Sequence, residues 1–248
     1  DIGSAKITTE EMEGVPHHLI DILEPWEEFN VVVFQRKCKE AIAGIYERGH
    51  IPILTGGTGF YIQAVLKDID FTENEDNTEY REQLEALGEE KGAEHLHKML
   101  REIDPESAEA IPVNNKKRVI RALEFYHFTG QKISEHNKQE SEKEPAYNFC
   151  YFVLNDDRDK LYDRIEQRVD IMLKNGLEDE VYHLLEKGCA RDMVSMQGLG
   201  YKEMIDYLEG KITLEEAIYI IKRDTRHFAK RQITWFKREK EVIWVNKP

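Results

Sequence analysis

The stretch Ile51-Pro52-Ile53-Leu54-Thr55-Gly56-Gly57-Thr58-Gly59 decides the fold class of this chain. Its first four residues form a short apolar run typical of a strand, and its three glycines predict a tight turn into a helix from Phe60 to Leu66. Upstream, apolar residues recur at helical spacing from Phe34 to Arg48. A helix, a strand, a glycine-rich loop and a second helix in this order are typical of a parallel sheet with crossover helices. We therefore expect an α/β core.

The glycine-rich loop from Thr55 to Gly59 is open to two interpretations. The backbone N–H groups of such a turn can face an anion at the N-terminus of the following helix. A tight turn that binds nothing also explains the glycines. The loop is not a Walker A motif, because no Gly-Lys-Ser or Gly-Lys-Thr follows it.

The segment from residue 73 to residue 140 contains signals for helices only. Capping residues and amphipathic spacing predict four helices there, at Tyr80–Glu90, at Glu94–Glu102, from Asp104-Pro105 onward, and at Lys116–Thr129 between Asn115 and Gly130. A polar run over residues 136–144 follows. We predict that residues 73–140 form an all-helical insertion domain in a core built from residues 1–72 and 141–248.

The chain after the insertion returns to core elements. Thr213 and Glu216 form a capping box that predicts the start of a long last helix. The other predicted elements are a strand within Tyr147–Leu154, helices at Asp159–Asn175, Leu177–Lys187 and Gly200–Leu208, and a final strand at Val242–Val245. The last helix is expected to reach about Lys240.

Composition limits the class of protein. The chain has 248 residues, a formal net charge of −14 and 40% hydrophobic residues, as expected for a globular protein with a solvated surface. No apolar run approaches the ~20 residues of a membrane span, so we expect no contact with a membrane. The three cysteines are far apart and give no zinc-binding spacing, which indicates the reducing cytoplasm.

The acidic average hides two basic segments. Lys222 to Lys240 contains eight Lys or Arg and two acids, and Lys116 to Arg121 contains four cations in six residues. In the first of these segments Phe228, Trp235 and Phe236 lie between the cations. Cations for phosphates and flat rings for unstacked bases suit single-stranded RNA. The alternative is an amphipathic core helix with buried rings and solvated charges.

A stripe of cations occurs every fourth residue on one predicted helix, at Lys160, Arg164 and Arg168. Like charges at this spacing repel each other, so a stripe of three indicates nearby anions. A diphosphate is one candidate, because arginine forks fit phosphate oxygens better than lysine does. Neighbouring acids are the other candidate: Asp156, Asp157, Asp163 and Glu166. Spacing alone does not decide between them.

Several strings of residues occur together in one order along the chain. They are DIGSAK (1–6), PHHLID (16–21), IPILTGGTG (51–59) with Tyr61, RVIRALE (118–124), RIEQRVD (164–170), GYKE (200–203), and Thr225-Arg226 with AKRQITW (229–235). In this order and with these gaps, they resemble the bacterial tRNA dimethylallyltransferases (isopentenyl-diphosphate:tRNA transferases) over essentially the whole chain.

The resemblance implies a transferase with a P-loop NTPase-like parallel sheet core and a helical insertion that binds tRNA. Its donor is dimethylallyl diphosphate, its cofactor is Mg²⁺, and its acceptor is the N6 of the adenosine next to the anticodon, flipped out of the tRNA stack. The family's phosphate loop, base aspartate and metal site are expected upstream of Asp1. We expect a cytoplasmic monomer.

The resemblance also implies roles for individual residues. Arg164 and Arg168 bind the diphosphate, and Arg168 is the catalytic residue. Contacts with tRNA are expected at Thr58, Arg81, Lys117, Arg118, Arg121, Gln197, Gly198, Gly200, Tyr201, Lys202, Lys230, Arg231, Gln232, Thr234, Trp235 and Lys237. Two departures from the family pattern, at residues 111–115 and at Gln197, bear only on individual tRNA contacts. The alternatives are a nucleotide kinase of the same core fold and a non-catalytic RNA-binding protein.

Overall fold

The structure is a computed structural model that describes residues 1–71, 78–240 and 242–246. Helices dominate these ranges. They are α1 (Val31–Glu47), α2 (Gly59–Leu66), α3 (Thr78–Glu90), α4 (Ala93–Ile103), α5 (Pro105–Ala110), α6 (Lys116–Thr129), α7 (Ile133–Glu142), α8 (Arg158–Lys174), α9 (Leu177–Glu186), α10 (Tyr201–Leu208) and α11 (Leu214–Phe236), with a 3-10 helix at Val194–Gln197. The strands are β1 (Tyr151–Asn155) and β2 (Val242–Asn246).

Contacts along the chain divide it into two compact units. The larger unit consists of Asp1–Val65 and Asn148–Pro248, and the smaller unit is Leu66–Tyr147. The predicted boundary between residues 72 and 73 lies outside the described residues. The function assigned to the insertion domain stays a prediction at this point.

The sheet of the larger unit is small and parallel. β1 pairs with β2 in a register that places Tyr151 opposite Val242 and Asn155 opposite Asn246. The final strand was predicted correctly, and β1 begins later than the expected Tyr147. In the described ranges, the chain is therefore an α/β protein with a two-stranded parallel sheet.

The predicted strand from Ile51 to Leu54 is wrong for this structure. These residues have no regular secondary structure, and the side chains of Ile51 and Ile53 are 86% and 83% exposed. A strand forms only when its backbone groups pair with a neighbouring strand. The only strands among the described residues are β1 and β2, which pair with each other, so residues 51–54 have no partner.

The core of the larger unit lies where α8, α9, α10 and α11 meet. Its fully buried side chains are Leu177, Val181, Met196, Met204, Ile205 and Ala217. α11 begins at the predicted capping box, in which the Thr213 N–H donates to Glu216 Oε2 at 2.8 Å. It ends at Phe236, four residues before the expected Lys240. The four helices pack together because their apolar faces are buried in this one cluster.

The core of the smaller unit is formed by α3, α4, α5 and α6. Leu96, Leu100, Val119 and Leu123 are almost completely buried. α6 has the predicted bounds, since Asn115 caps its N-terminus and Gly130 ends it in a left-handed conformation with φ of 68°. The polar run over residues 136–144 falls largely in α7, which was not predicted because its exposed polar residues show no apolar periodicity.

Candidate active site and nucleic-acid interface

A pocket of about 230 Å³ in the larger unit brings several of the family-like strings together. Arg164 and Arg168 of α8 line it, along with Gly3, Gly200 and Thr225. Arg168 also lines a second pocket of about 550 Å³, formed with residues 1–12. The fold therefore places the two predicted diphosphate ligands in one concave site together with residues that are far from them along the chain.

The two arginines have different electrostatic surroundings. Arg164 forms an ion pair of 2.6 Å with Asp156, whose side chain is only 9% exposed. Arg168 is exposed and forms no ion pair with any residue that the structure describes. The neighbouring-acid interpretation of the stripe is therefore correct for Arg164. Binding of a diphosphate by Arg168 stays a prediction.

Glu180 of α9 is a residue at this site that the sequence analysis missed. Its carboxylate accepts hydrogen bonds from the Ile2 N–H at 2.6 Å, the Gly3 N–H at 3.1 Å and the Tyr201 hydroxyl at 2.7 Å. Burial alone raises the pKa of Glu180, but these hydrogen bonds outweigh it and hold the pKa below the ordinary glutamate range. No local pattern could reveal Glu180, because its partners are 21 residues or more away along the chain.

The segment before and at the start of α10 holds five of the residues predicted to bind tRNA. Tyr201 is only 9% exposed, and burial together with Glu180 raises the pKa of its hydroxyl. Gly200 lines the pocket in a conformation with φ of 97°. Gln197 donates to the Arg191 carbonyl, and Lys202 forms an ion pair of 3.4 Å with Glu203. Gly198 lies against Tyr201, since a Cβ there would stand 3.1 Å from the ring.

The glycine-rich loop packs on α11. The Gly57 carbonyl accepts a hydrogen bond of 3.0 Å from Gln232 Nε2. A Cβ on Gly57 would lie 2.0 Å from that nitrogen, so close packing accounts for this glycine without a bound anion. Thr58 is exposed on the same loop. The fold thus gathers Thr58, Gln232 and Trp235, three of the predicted tRNA contacts, in one region of the larger unit.

The two halves of α11 use their cations differently. In the first half, Lys222 forms an ion pair of 2.6 Å with Asp170, and Arg226 pairs with Glu166, so these cations bind α8. In the second half, Lys230, Arg231 and Thr234 are exposed, as is Lys237 directly after the helix, and none of the three cations forms an ion pair in the part of the chain that the structure describes. The first half of the helix therefore matches the structural interpretation, and RNA binding by the second half stays a prediction.

Aromatic rings accompany the free cations of the second half of α11. The Arg231 guanidinium lies 5.7 Å from the centre of the Phe228 ring, which is 40% exposed. The Arg238 guanidinium lies 4.6 Å from the centre of the Trp235 ring, which is half-buried. An exposed ring beside unpaired cations can stack on a base while the cations bind phosphates.

The smaller unit presents a second basic surface, formed by Lys117, Arg118 and Arg121 on α6. All three side chains are exposed, and no acid described in the structure lies within ion-pair distance of them. Val119 of the same helix is completely buried, so α6 is amphipathic with its cations facing solvent. Arg81 differs, because its guanidinium donates to both oxygens of Glu124 at 2.9 and 2.8 Å.

The described residues offer no candidate metal site. In residues 1–71, 78–240 and 242–246, no three His, Cys, Asp or Glu side chains come together in a cluster. Mg²⁺ commonly needs only one or two carboxylates beside substrate phosphates, so the expected cofactor stays a prediction. None of the helices in these ranges combines the length and hydropathy that a membrane span requires.

Comparison with known proteins finds relatives over almost the whole chain. Residues 1–239 match the family described as IPP transferase. The chain is 60% identical over 247 residues to the tRNA dimethylallyltransferase of Lachnoclostridium phytofermentans, and the match covers 100% of this chain and 79% of the relative. It is 51% identical over 246 residues to the tRNA dimethylallyltransferase of Carboxydothermus hydrogenoformans, with coverage of 99% and 79%.

Solved structures of transferases that act on tRNA also resemble this chain. The chain resembles the full-length tRNA isopentenylpyrophosphate transferase of Bacillus halodurans, with a TM-score of 0.71 and 47% identity over 99% of this chain and 76% of that one. It also resembles a eukaryotic dimethylallyltransferase acting on tRNA, with a TM-score of 0.81 and 29% identity over 99% of this chain and 63% of the other.

Proposed function

This chain belongs to the IPP transferase family, and on that premise we propose how its residues move a dimethylallyl group from dimethylallyl diphosphate to tRNA. The N6 of the adenosine next to the anticodon forms a bond to the allylic carbon of the donor. The bond between that carbon and the diphosphate oxygen breaks, and its electron pair leaves with the diphosphate. The amine gives up its proton to a general base.

The main support for a donor site is the guanidinium of Arg168, which lines the 230 Å³ pocket and forms no ion pair among the described residues. Negative charge grows on the diphosphate as the carbon–oxygen bond breaks, and a fixed cation stabilises that charge in the transition state. Arg168 can do this because it forms no ion pair among the described residues; the Glu11 carboxylate, which lines the larger pocket with it, interacts with it only at longer range. Arg164, already paired with Asp156, contributes less charge and more to the shape of the pocket.

We assign tRNA binding to two surfaces, one in each unit. The first consists of the second half of α11 with the glycine-rich loop, where exposed cations lie beside Phe228 and Trp235. The second is the exposed face of α6 with Lys117, Arg118 and Arg121. Unpaired surface cations bind phosphates, so a chain of net negative charge can bind tRNA through these two basic regions.

Four further assignments belong to this proposal. The larger unit is the α/β core of P-loop type, and residues 73–140 are the insertion that binds tRNA. Mg²⁺ is the cofactor, and bound beside the diphosphate it would stabilise the negative charge of the leaving group. The enzyme works as a monomer. It works in the cytoplasm, where its tRNA substrate is found.

The experiment is prenyl transfer by the intact enzyme. Labelled dimethylallyl diphosphate and unmodified tRNA are incubated with it, and the tRNA nucleosides are then separated. We expect label on the N6 of one adenosine per tRNA and release of diphosphate, with no requirement for ATP. Phosphorylation of a small nucleotide by ATP instead would indicate the kinase of the same fold. Binding of tRNA without transfer would indicate the non-catalytic RNA-binding protein.

A further inference from the structure

One carboxylate holds two of the walls of the pocket around Arg168. Glu180 Oε2 accepts the Ile2 N–H at 2.6 Å, and Glu180 Oε1 accepts both the Gly3 N–H at 3.1 Å and the Tyr201 hydroxyl at 2.7 Å. Gly3 lines the pocket, and so does Gly200, the residue before Tyr201. Glu180 itself does not line it.

The Tyr201 ring holds the same wall from a second direction. A Cβ on Gly3 would lie 2.7 Å from Tyr201 Cζ, so the backbone of Gly3 is in close contact with the ring face. The ring is buried, and its hydroxyl is fixed by Glu180. The position of Gly3 relative to Gly200 therefore depends on one carboxylate and one ring.

The ionised form of Glu180 is the form that can accept all three hydrogen bonds. Burial alone raises its pKa, but the Ile2 N–H, the Tyr201 hydroxyl and the Gly3 N–H lower it below the ordinary range, so the group is ionised at neutral pH. An ionised carboxylate has two acceptor oxygens and serves all three donors. A glutamine has one acceptor oxygen, and its NH₂ group would meet a backbone N–H that also needs an acceptor.

We propose that Glu180 is a positioning residue for prenyl transfer, which holds the Gly3 and Gly200 walls so that the diphosphate meets Arg168 in a reactive geometry. The proposal rests on the diphosphate site proposed above. Glu180 acts through the walls, because it contacts their backbone and Tyr201 rather than the pocket itself. A donor that is held loosely loses rate even when every charged ligand is present.

The test compares Glu180→Gln with Glu186→Gln in the intact enzyme. Glu186 is a matched control on the same helix, because its carboxylate lies 3.1 Å from His183 Nδ1 and lines neither pocket. We expect Glu180→Gln to lower kcat/KM for dimethylallyl diphosphate on the order of tenfold and to raise the Kd for tRNA by a much smaller factor, although Gly200 and Tyr201 are also predicted tRNA contacts. Glu186→Gln should change neither. Tyr201→Phe keeps the ring on Gly3 and removes one hydrogen bond, so it should give a smaller loss in the same direction.

A double variant separates positioning from a merely structural role. If Glu180 acts by placing the donor against Arg168, adding Glu180→Gln to Arg168→Ala should cost clearly less than it costs in the wild type. If the losses of kcat/KM in the two single variants multiply fully in the double variant, the proposal is overturned. An equal loss of donor turnover and tRNA affinity in Glu180→Gln would also overturn it. If Glu180→Gln does not fold, an unchanged kcat/KM in Tyr201→Phe would overturn it.

Arg168→Ala, measured alone, tests the diphosphate site separately from the role of Glu180. A normal rate in that variant overturns the diphosphate site and the role of Glu180 with it. A slow Arg168→Ala enzyme beside a normal Glu180→Gln enzyme overturns only the role of Glu180.

Discussion

The indole ring of Trp235 occupies the space that a side chain on Gly59 would need. A Cβ on Gly59 would lie 2.1 Å from both Cδ1 and Nε1 of the ring. Gly59 is the first residue of α2, and Trp235 lies in the last turn of α11. The absence of a side chain at position 59 therefore allows the N-terminus of one helix to contact a ring on another.

This contact predicts that Gly59→Ala destabilises the protein. The new methyl group must displace the indole or the start of α2, and such overpacking costs about 1–3 kcal/mol of unfolding free energy. Gly56→Ala in the same loop is the control, because a Cβ there meets nothing within 4 Å. Urea unfolding of both variants measures the difference. Equal stability of the two variants would contradict the packing described here.

Arg168→Ala should slow catalysis without weakening tRNA binding. Loss of one charge-stabilising group in a catalytic site costs about 3 kcal/mol, or on the order of a hundredfold in turnover. Arg158→Ala is the matched control, since Arg158 lies on the same helix over the Tyr162 ring and lines neither pocket. Turnover with dimethylallyl diphosphate and the Kd for tRNA are measured for both. A normal rate for Arg168→Ala would remove the diphosphate from this site.

The two halves of α11 should respond differently to loss of an arginine. Arg226→Ala breaks a partly exposed pair with Glu166, so it should lower the unfolding free energy by up to about 1 kcal/mol and leave tRNA affinity unchanged. Arg231→Ala should weaken tRNA binding and leave stability unchanged, because Arg231 is exposed beside Phe228. Chemical unfolding and tRNA titration of both variants are the measurements. The reverse pattern would mean that tRNA contacts the first half of the helix.

Elements set by local chemistry were predictable from the sequence. The capping box at Thr213 and Glu216 and the ends of α6 at Asn115 and Gly130 all occur as expected, because caps involve residues within one helical turn. The strand at residues 51–54 was not predictable in the same way. A strand depends on a partner, and an apolar run cannot show whether one is present.

Most of the side-chain partners at the site could not be predicted from the sequence, because the fold brings them together. Four acids were equal candidates for neutralising the arginine stripe, yet only the fold selects Asp156 for Arg164 and turns Glu166 toward Arg226. Glu180 lies 178 residues from Ile2 along the chain, so no spacing rule connects them. The candidate arginine was found from the sequence, and the residues that hold its pocket were found only in the structure.

Asp104 should make the stability of the smaller unit depend on acid pH. This carboxylate is 2% exposed and accepts hydrogen bonds from the N–H and hydroxyl groups of Ser107 and Ser134, which join α5 to α7. Burial raises its pKa, but the four hydrogen bonds outweigh burial and hold the pKa below the usual aspartate range. Its contribution to stability is therefore complete above the unfolded pKa of about 4 and is lost as the pH falls through the lower folded value.

The variant that tests this is Asp104→Asn. Each oxygen of Asp104 accepts one N–H and one hydroxyl, and an asparagine replaces one of these oxygens with NH₂. The hydroxyl can turn and accept from the NH₂ group, but the N–H loses its acceptor, which costs about 1–3 kcal/mol at neutral pH. The difference from the wild type should shrink as the pH falls below about 4, because the unfolded wild-type chain then binds a proton that the folded carboxylate does not bind until the pH reaches its lower pKa. Glu109→Gln, an exposed change on α5, is the control. Unfolding by urea at a series of pH values measures both, and a difference that stays constant with pH would contradict the role of Asp104.

Neutralising the basic face of α6 should weaken tRNA binding in a way that depends on salt. Arg118 and Arg121 are exposed and form no ion pair within the described ranges, so both are free to bind phosphates. Each phosphate contact adds about 0.7–0.9 to the slope of log K against log salt. Arg118→Ala with Arg121→Ala should therefore lower the affinity for tRNA and flatten that slope by up to two such contacts.

The control for this double variant is Lys98→Ala with Arg101→Ala. These two cations are exposed on α4 of the same unit, and their removal changes the net charge by the same amount. A general loss of attraction to a polyanion would affect both double variants equally, whereas a phosphate-binding surface on α6 predicts a loss only for the first. The tRNA affinity of each is measured across a salt series. If the α6 variant keeps the wild-type affinity and slope, tRNA approaches the enzyme without contacting these arginines.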